Sequence, residues 1–313
     1  MSGFHVLITG GAGYIGSILT ERLLRAGHYV TVIDSLLYRQ RSLFGFCHES
    51  RFEFVFGDAR DARVMADLIR GKDFLIPLAA LVGAPACDRD PLFAQTVNLE
   101  AVRLINSLRS GQQAVIYPNT NSGYGAQTGE SFCTEETPLE PISHYGRTKV
   151  EAEKALLDSA RAVTFRLATV FGMSYRMRLD LLVNDFVHTA LRQRALVLFE
   201  KDFKRNYVHI RDVADAFLYA MNHFDAMQGR PYNVGLDDAN LSKEQLAVLI
   251  QRFIPGLSIQ SAEIGEDPDK RNYIVSNARL REAGFEARRT LEEGIQELLK
   301  GYRMMQQEEF RNV

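Results

Sequence analysis

Thr9-Gly-Gly-Ala-Gly-Tyr-Ile-Gly16 follows a short apolar run, Phe4 to Ile8, and precedes an amphipathic one, so the order is strand, glycine turn, helix start. Only glycine lets a backbone approach a pyrophosphate closely while tolerating positive φ in the turn. A helix beginning here aims free N–H groups and the positive end of its dipole at that anion. Gly11, Gly13 and Gly16 fit G-x-G-x-x-G, and Gly10, Gly13 and Gly16 also fit G-x-x-G-x-x-G; Tyr14 and Ile15 open the helix beside the same site. Val30 to Ile33 reads as the second strand of a βαβ unit. Asp34 ends it, roughly 20 residues after the glycines, where an acid holds a ribose 2′-hydroxyl and repels the extra phosphate of NADP. The expected cofactor is therefore NAD(H). Gly57-Asp58 closes a third strand, Phe52 to Phe56, on the adenine side. Ala79 and Ala80 follow a fourth, Phe74 to Leu78, and are small enough for a cofactor to lie against them.

Strands and helices alternate through the first half, which predicts an α/β fold, a Rossmann-type doubly wound parallel sheet. A long helix is expected from about Pro91 to Leu108. Strand five, Ala114 to Tyr117, runs into the polar stretch Pro118 to Gly125, at the carboxyl edge where open α/β sheets bind ligands. A helix starting near Ser143 leads to a sixth strand, Val163 to Ala168. Beyond Gly172 the alternation lapses. Residues 1–172 and 206–235 are assigned to a Rossmann domain, and 173–205 and 236–313 to a smaller, discontinuous mixed α/β domain over the sheet edge. Ser242 with Gln245, and Thr290 with Glu293, form capping boxes that start two helices of the second half.

Of the 313 residues, 46% are hydrophobic, and 37 basic against 39 acidic residues leave a net charge of −2. That balance points away from nucleic acid and from acidic membrane surfaces. Cys47, Cys87 and Cys133 show no C-x-x-C spacing, which suits reduced thiols in a cytosol. No apolar run approaches the roughly 18 residues of a membrane helix, and the N-terminus has no secretory pattern. A cytoplasmic protein is expected. The histidines are scattered without H-E-x-x-H or similar spacing, so no metal is expected.

Tyr145 and Lys149, four apart on a helix, project from one face. A free phenol titrates near 10 and is a poor base at neutral pH. A nearby ammonium favours the phenolate, giving a proton acceptor suited to an alcohol under oxidation. Thr120, on a preceding strand end, offers a hydroxyl to the same oxygen.

These residues resemble the extended short-chain dehydrogenase/reductases of the nucleotide-sugar epimerase/dehydratase group over nearly the full length. The resemblance is carried by Thr9 to Gly16, Leu78-Ala-Ala80, Thr120-Asn-Ser-Gly-Tyr-Gly125, Tyr145-Gly-Arg-Thr-Lys149, Arg166-Leu-Ala-Thr-Val-Phe-Gly172, Arg205 to Val213 and Tyr232-Asn-Val-Gly235. It implies that Thr120, Tyr145 and Lys149 are catalytic and that the smaller domain binds a nucleotide-diphosphate sugar. Where 4,6-dehydratases carry an acid pair, this chain has Asn121 and Ser122, neither of which exchanges a proton near neutral pH. A 3,5-epimerase of the group has a cysteine where Ser122 stands. Hydride chemistry at one carbinol, C4 of the sugar, is what the resemblance leaves: a 4-dehydrogenase, a 4-epimerase, or a 4-keto-sugar reductase. A non-catalytic NAD-binding regulator is the remaining alternative, and the intact Thr120, Tyr145 and Lys149 speak against it.

Within the group, Leu81 to Pro85, Arg176 to Asp185 and Glu266 to Ser276 are most similar to the bacterial GDP-heptose 4-dehydrogenases of capsule biosynthesis. By resemblance, Val82, Gly83, Asn121, Ser122 and Thr169 line the sugar site and Asn184 donates to the pyrophosphate. Arg205 and Arg271 are expected to pair with its phosphates, since guanidinium binds them in a bidentate way. Glu200 lies where relatives hold the base, and its carboxylate suits the ring N–H and amino group of guanine. The helices around Glu100 and Ala155 are the ones that pair in relatives, which implies a homodimer.

Overall fold

The computed structural model describes residues 3–126, 131–262 and 272–305. Its strands, in chain order, are β1 (His5–Thr9), β2 (Tyr29–Asp34), β3 (Phe52–Phe56), β4 (Phe74–Pro77), β5 (Ala114–Thr120), β6 (Phe132–Cys133) and β7 (Ala162–Leu167). Then come β8 (Thr169–Phe171), β9 (Ala195–Leu198), β10 (Lys204–His209), β11 (Arg230–Val234), β12 (Asn240–Ser242), β13 (Ser258–Ser261) and β14 (Ile274–Val275). The central sheet has seven parallel strands in the order β11-β7-β5-β4-β1-β2-β3. The order reverses between β1 and β4, the switch point at whose carboxyl edge doubly wound sheets bind ligands.

The helices are α1 (Tyr14–Arg25), α2 (Ala62–Ile69), α3 (Ala84–Arg89), α4 (Pro91–Gln95), α5 (Ala101–Leu108) and α6 (His144–Leu157). In the second half lie α7 (Leu182–Gln193), α8 (Ile210–Asn222), α9 (Phe224–Met227), α10 (Lys243–Gln251), α11 (Ala278–Glu282) and α12 (Leu291–Tyr302). Side-chain alternation along β1 sends Val6 and Ile8 into a core with Ile18 and Leu19 of α1 and Val213 and Phe217 of α8. Leu7 points the other way, into a core with Met65 of α2, Ile105 of α5 and Ala152 of α6. Both faces are thus covered, as a parallel sheet requires.

The caps act where the sequence puts them. Ser242 and Thr290 accept from the Gln245 and Glu293 N–H groups, and both reciprocal side-chain bonds of the boxes are made. Ser143 accepts from Gly146 N–H and so fixes the start of α6.

One reading differs from the sequence expectation: the helix over Pro91 to Leu108 is interrupted by a π-helical turn, Thr96–Glu100. β10 lies outside the central sheet. It pairs in parallel with β8 and antiparallel with β12 in a separate three-stranded sheet. Alternation identifies a strand; it does not say which sheet the strand joins. β9 pairs with β13, and β6 with β14. Among the described residues no helix is long and apolar enough to cross a membrane.

Candidate active site at the carboxyl edge of the sheet

The glycine turn after β1 is built tightly against its neighbours. Gly10 has φ of +71°, and a Cβ there would come within 2.6 Å of Ala79 Cα in the loop after β4. A Cβ on Gly16 would meet Gly11 Cα at 2.6 Å, so this glycine lets α1 pack on the turn. Gly13 differs: a Cβ on it would meet only Gly10 O, at 3.1 Å, and as N-cap of α1 it offers no side-chain acceptor to the first-turn N–H groups. The first-turn N–H groups of α1 thus meet no side-chain cap, and no side chain on Gly13 stands in the way, which suits a pyrophosphate.

Asp34 is buried; its Oδ2 accepts from Ala12 N–H at 3.0 Å and its Oδ1 from Leu36 N–H at 2.8 Å. Burial raises its pKa, and these two backbone bonds work in the opposite direction. The carboxylate thus ties the glycine turn to the end of β2, with further lone pairs left for a ribose. Asp58 is held by the Arg60 guanidinium at 2.6 Å, which keeps its carboxyl below the usual range. Ala79 lies against Gly10, with Ala80 partly exposed beside it.

Tyr14 and Asn184 form a bracket that the sequence did not suggest. The Tyr14 hydroxyl donates to Gly172 O at 2.7 Å and accepts from Asn184 Nδ2 at 3.1 Å. Asn184 also donates to Arg178 O and accepts from Gly172 N–H. Asn184, expected to donate to a pyrophosphate, is 0% exposed, and its amide joins α7 to the end of β8 and to α1. Burial pushes the Tyr14 phenol far up.

At the end of β5, Thr120 Oγ1 accepts from Ser122 N–H at 3.1 Å and lies 2.9 Å from Ser122 Oγ. Between them Asn121 is buried, and neither of its amide atoms has a hydrogen-bond partner among the described residues. The start of α6 packs on this turn, since a Cβ on Gly123 would touch Val150 at 3.0 Å and one on Gly146 would lie 3.4 Å from Ser122 O. Tyr145 is half-buried against Leu81, Cys87, Ala94 and Val97. Lys149 is buried, its Nζ 4.0 Å from the centroid of the Tyr117 ring. Burial lowers its pKa to about 7, against the raising influence of Glu153.

Two further groups were not read from the sequence. Glu153, one turn beyond Lys149, accepts from Asn119 Nδ2, Thr164 Oγ1 and Arg166 at 2.7–3.0 Å. Arg166 continues to the Tyr124 hydroxyl and Glu135 O. Burial opposes its charge and the Glu153 carboxylate overrides that, so the guanidinium is held above its ordinary value. An acid four residues after Lys149, on the face that carries it, was the available signal. Asn98, in the π-helical turn, accepts from Leu81 N–H at 2.8 Å and donates to Leu81 O at 3.0 Å. It pins the loop that carries Val82 and Gly83, the latter at φ +97°. A polar residue at a buried helix position marks it.

Of the remaining expected substrate residues, Thr169 opens β8 and is partly exposed. Arg205 lies in β10, 3% exposed, its guanidinium 5.7 Å from the Tyr273 ring centroid. Arg271 lies outside the described residues. Glu200, in the loop after β9, has φ of +48°, and its Oε2 is buried with no hydrogen-bond partner among the described residues. The Cys87 thiol is buried, donates to Leu81 O at 3.2 Å and is pushed up to about 11 by burial, which makes it a packed thiol rather than a nucleophile.

Residues 6–235 match the NAD dependent epimerase/dehydratase family. The UDP-glucose 4-epimerase of Mycolicibacterium smegmatis is 30% identical over 316 residues, covering 96% of this chain and 98% of its own. Among solved structures, the UDP-glucose 4-epimerase of Thermotoga maritima with UDP-glucose superposes with a TM-score of 0.83 at 23% identity, covering 96% of this chain and 99% of that one. The dTDP-glucose 4,6-dehydratase of Bacillus anthracis in complex with NAD gives 0.84 at 20% identity, covering 98% and 99%. These two likenesses speak for the fold.

Proposed function

Because this chain belongs to the NAD-dependent epimerase/dehydratase family, we propose that it oxidises the C4 carbinol of a nucleotide-diphosphate sugar and releases the 4-ketone, with GDP-heptose as the substrate. The observation that carries the reading is Asn121 and Ser122 directly after Thr120, on the turn against which the Tyr145 and Lys149 helix packs. An amide and an alkyl hydroxyl do not exchange protons near neutral pH. Water elimination then has no acid pair, while a proton acceptor for an alcohol is present.

Gly10, Gly13, Gly16, the first turn of α1 and Asp34 would hold NAD, which when bound supplies the acceptor for the C4 hydride. The chain's own part is proton handling. Tyr145 Oη takes the proton of the C4 hydroxyl, and the Lys149 ammonium favours the phenolate that does so. Thr120 Oγ1 hydrogen-bonds the same substrate oxygen, with Ser122 Oγ behind it. Residues 173–205 and 236–313 bind the nucleotide sugar over this edge, and a homodimer forms through α5 and α6.

Glu200 supports guanine as the base. A left-handed φ on a non-glycine residue costs about 1 kcal/mol or more, and a buried carboxylate oxygen without a donor is a further cost. The ring N–H and amino group of guanine together satisfy a carboxylate; uracil has a single ring N–H. The 30% identity to a UDP-glucose 4-epimerase favours a second reading, 4-epimerisation, in which the ketone is reduced again before release.

Incubation with GDP-heptose and with UDP-glucose, followed by proton spectra and nicotinamide absorbance, tests both. A 4-ketone with net reduction of nicotinamide supports the dehydrogenase, and a 4-epimer without net reduction supports the second reading. Neither product from either sugar refutes both. A Glu200→Gln protein that distinguishes GDP from UDP sugars as before refutes the guanine contact.

A further inference from the structure

A lysine ammonium in a protein interior needs a compensating partner, and among the described residues no carboxylate reaches ion-pairing distance of Lys149. The nearest carboxylate that acts on it is Glu153, one turn along α6, and the neutral Cys87 thiol on α3 lies in the same surroundings. What lies against Nζ is the face of Tyr117 on β5, 4.0 Å from the ring centroid, with Tyr117 0% and Lys149 4% exposed. The Tyr117 hydroxyl is buried and has no hydrogen-bond partner among the described residues. The part of this side chain that meets a partner of opposite character is therefore its ring. The ring face carries the negative end of the aromatic quadrupole and attracts a cation most strongly when water is excluded.

We propose that Tyr117 is a positioning residue of the active site: its ring face is the seat of the Lys149 ammonium, fixing where Nζ lies and favouring the charged form that supports Tyr145. This rests on the catalytic reading of Tyr145 and Lys149 given above. The groups facing the ammonium are Tyr117 from β5, Cys87 from α3, and Glu153 and Tyr145 one turn to either side on α6. Loss of the ring removes an attraction while burial continues to oppose the charge, so the Lys149 midpoint falls.

The test is an NMR titration of full-length protein carrying lysine labelled with carbon-13 at Cε, with the Lys149 signal identified by its absence in Lys149→Met. Tyr117→Phe keeps the ring and should titrate within a few tenths of a pH unit of wild type. Tyr117→Leu should titrate lower by about one pH unit, and Tyr117→Met does the same service where the leucine variant fails to fold. Leucine and methionine variants that titrate as wild type overturn the proposal. So does a phenylalanine variant shifted as far as the leucine one, because the hydroxyl would then be the active part. The measurement needs no substrate, so it is separable from the catalytic reading. Full turnover by Lys149→Met would end that reading and leave the ring contact standing.

Discussion

Replacing Lys149 with methionine should abolish turnover and at the same time stabilise the fold near neutral pH. Moving the ammonium from its ordinary 10.5 to about 7 corresponds to roughly 5 kcal/mol against the charged form in the folded state. At pH 7 nearly all of that penalty is in force. The unfolded chain keeps the proton up to about 10, whereas the folded chain releases it from about 7, so wild-type stability rises between those values and the penalty fades. Methionine escapes the penalty but forfeits the contact with the Tyr117 ring and fills the space less well. A net gain of about 2 kcal/mol is expected, or roughly 4 °C in Tm. Thermal melts of both nucleotide-free proteins from pH 6 to pH 10 read it directly: the variant should lead at pH 6–7, and the gap should close toward pH 10. A variant less stable than wild type at pH 7, or a gap that widens with pH, refutes the reasoning.

Gly16→Ala should destabilise the protein by about 2 kcal/mol or more, because its Cβ would lie 2.6 Å from Gly11 Cα, whereas Gly13→Ala should melt near wild type yet bind NAD at least tenfold more weakly by calorimetry. Glu153→Gln leaves Arg166 as a buried charge short of its partner and should cost about 3–5 kcal/mol in chemical denaturation. Tyr145→Phe should lose about 10²- to 10⁴-fold in kcat while a calorimetric titration shows the nucleotide sugar still bound. Retention of activity there would remove Tyr145 from the mechanism.

What was legible in the sequence was what is local. The glycine turn, Asp34 at the end of its strand, the capping boxes at Ser242 and Thr290, and the four-residue step from Tyr145 to Lys149 are each set within a few residues, where spacing translates directly into geometry. Pairings between distant segments were not legible. Glu153 meets Arg166 across a helix and a strand, and Asn98 holds Leu81 across a π-helical turn that no periodicity announces. The role of Asn184 is set by Tyr14, 170 positions away. The sheet that β10 joins was not legible for the same reason: its own residues specify an extended backbone, and the edges of β8 and β12 supply its partners. The platform under Lys149 hid in plain view, since Tyr117 reads as an ordinary core aromatic until α6 is laid across it.

The central claim is that this site removes hydride from C4 of a nucleotide-diphosphate sugar while Tyr145 takes the hydroxyl proton. GDP-heptose carrying deuterium at C4, mixed with the NAD-loaded protein and followed by mass spectrometry, tests it most directly. The account predicts that the deuterium appears in the reduced nicotinamide, and that Tyr145→Phe suppresses this transfer. Product formed with the deuterium still at C4, or with solvent hydrogen entering at C3 or C5 instead, would contradict it.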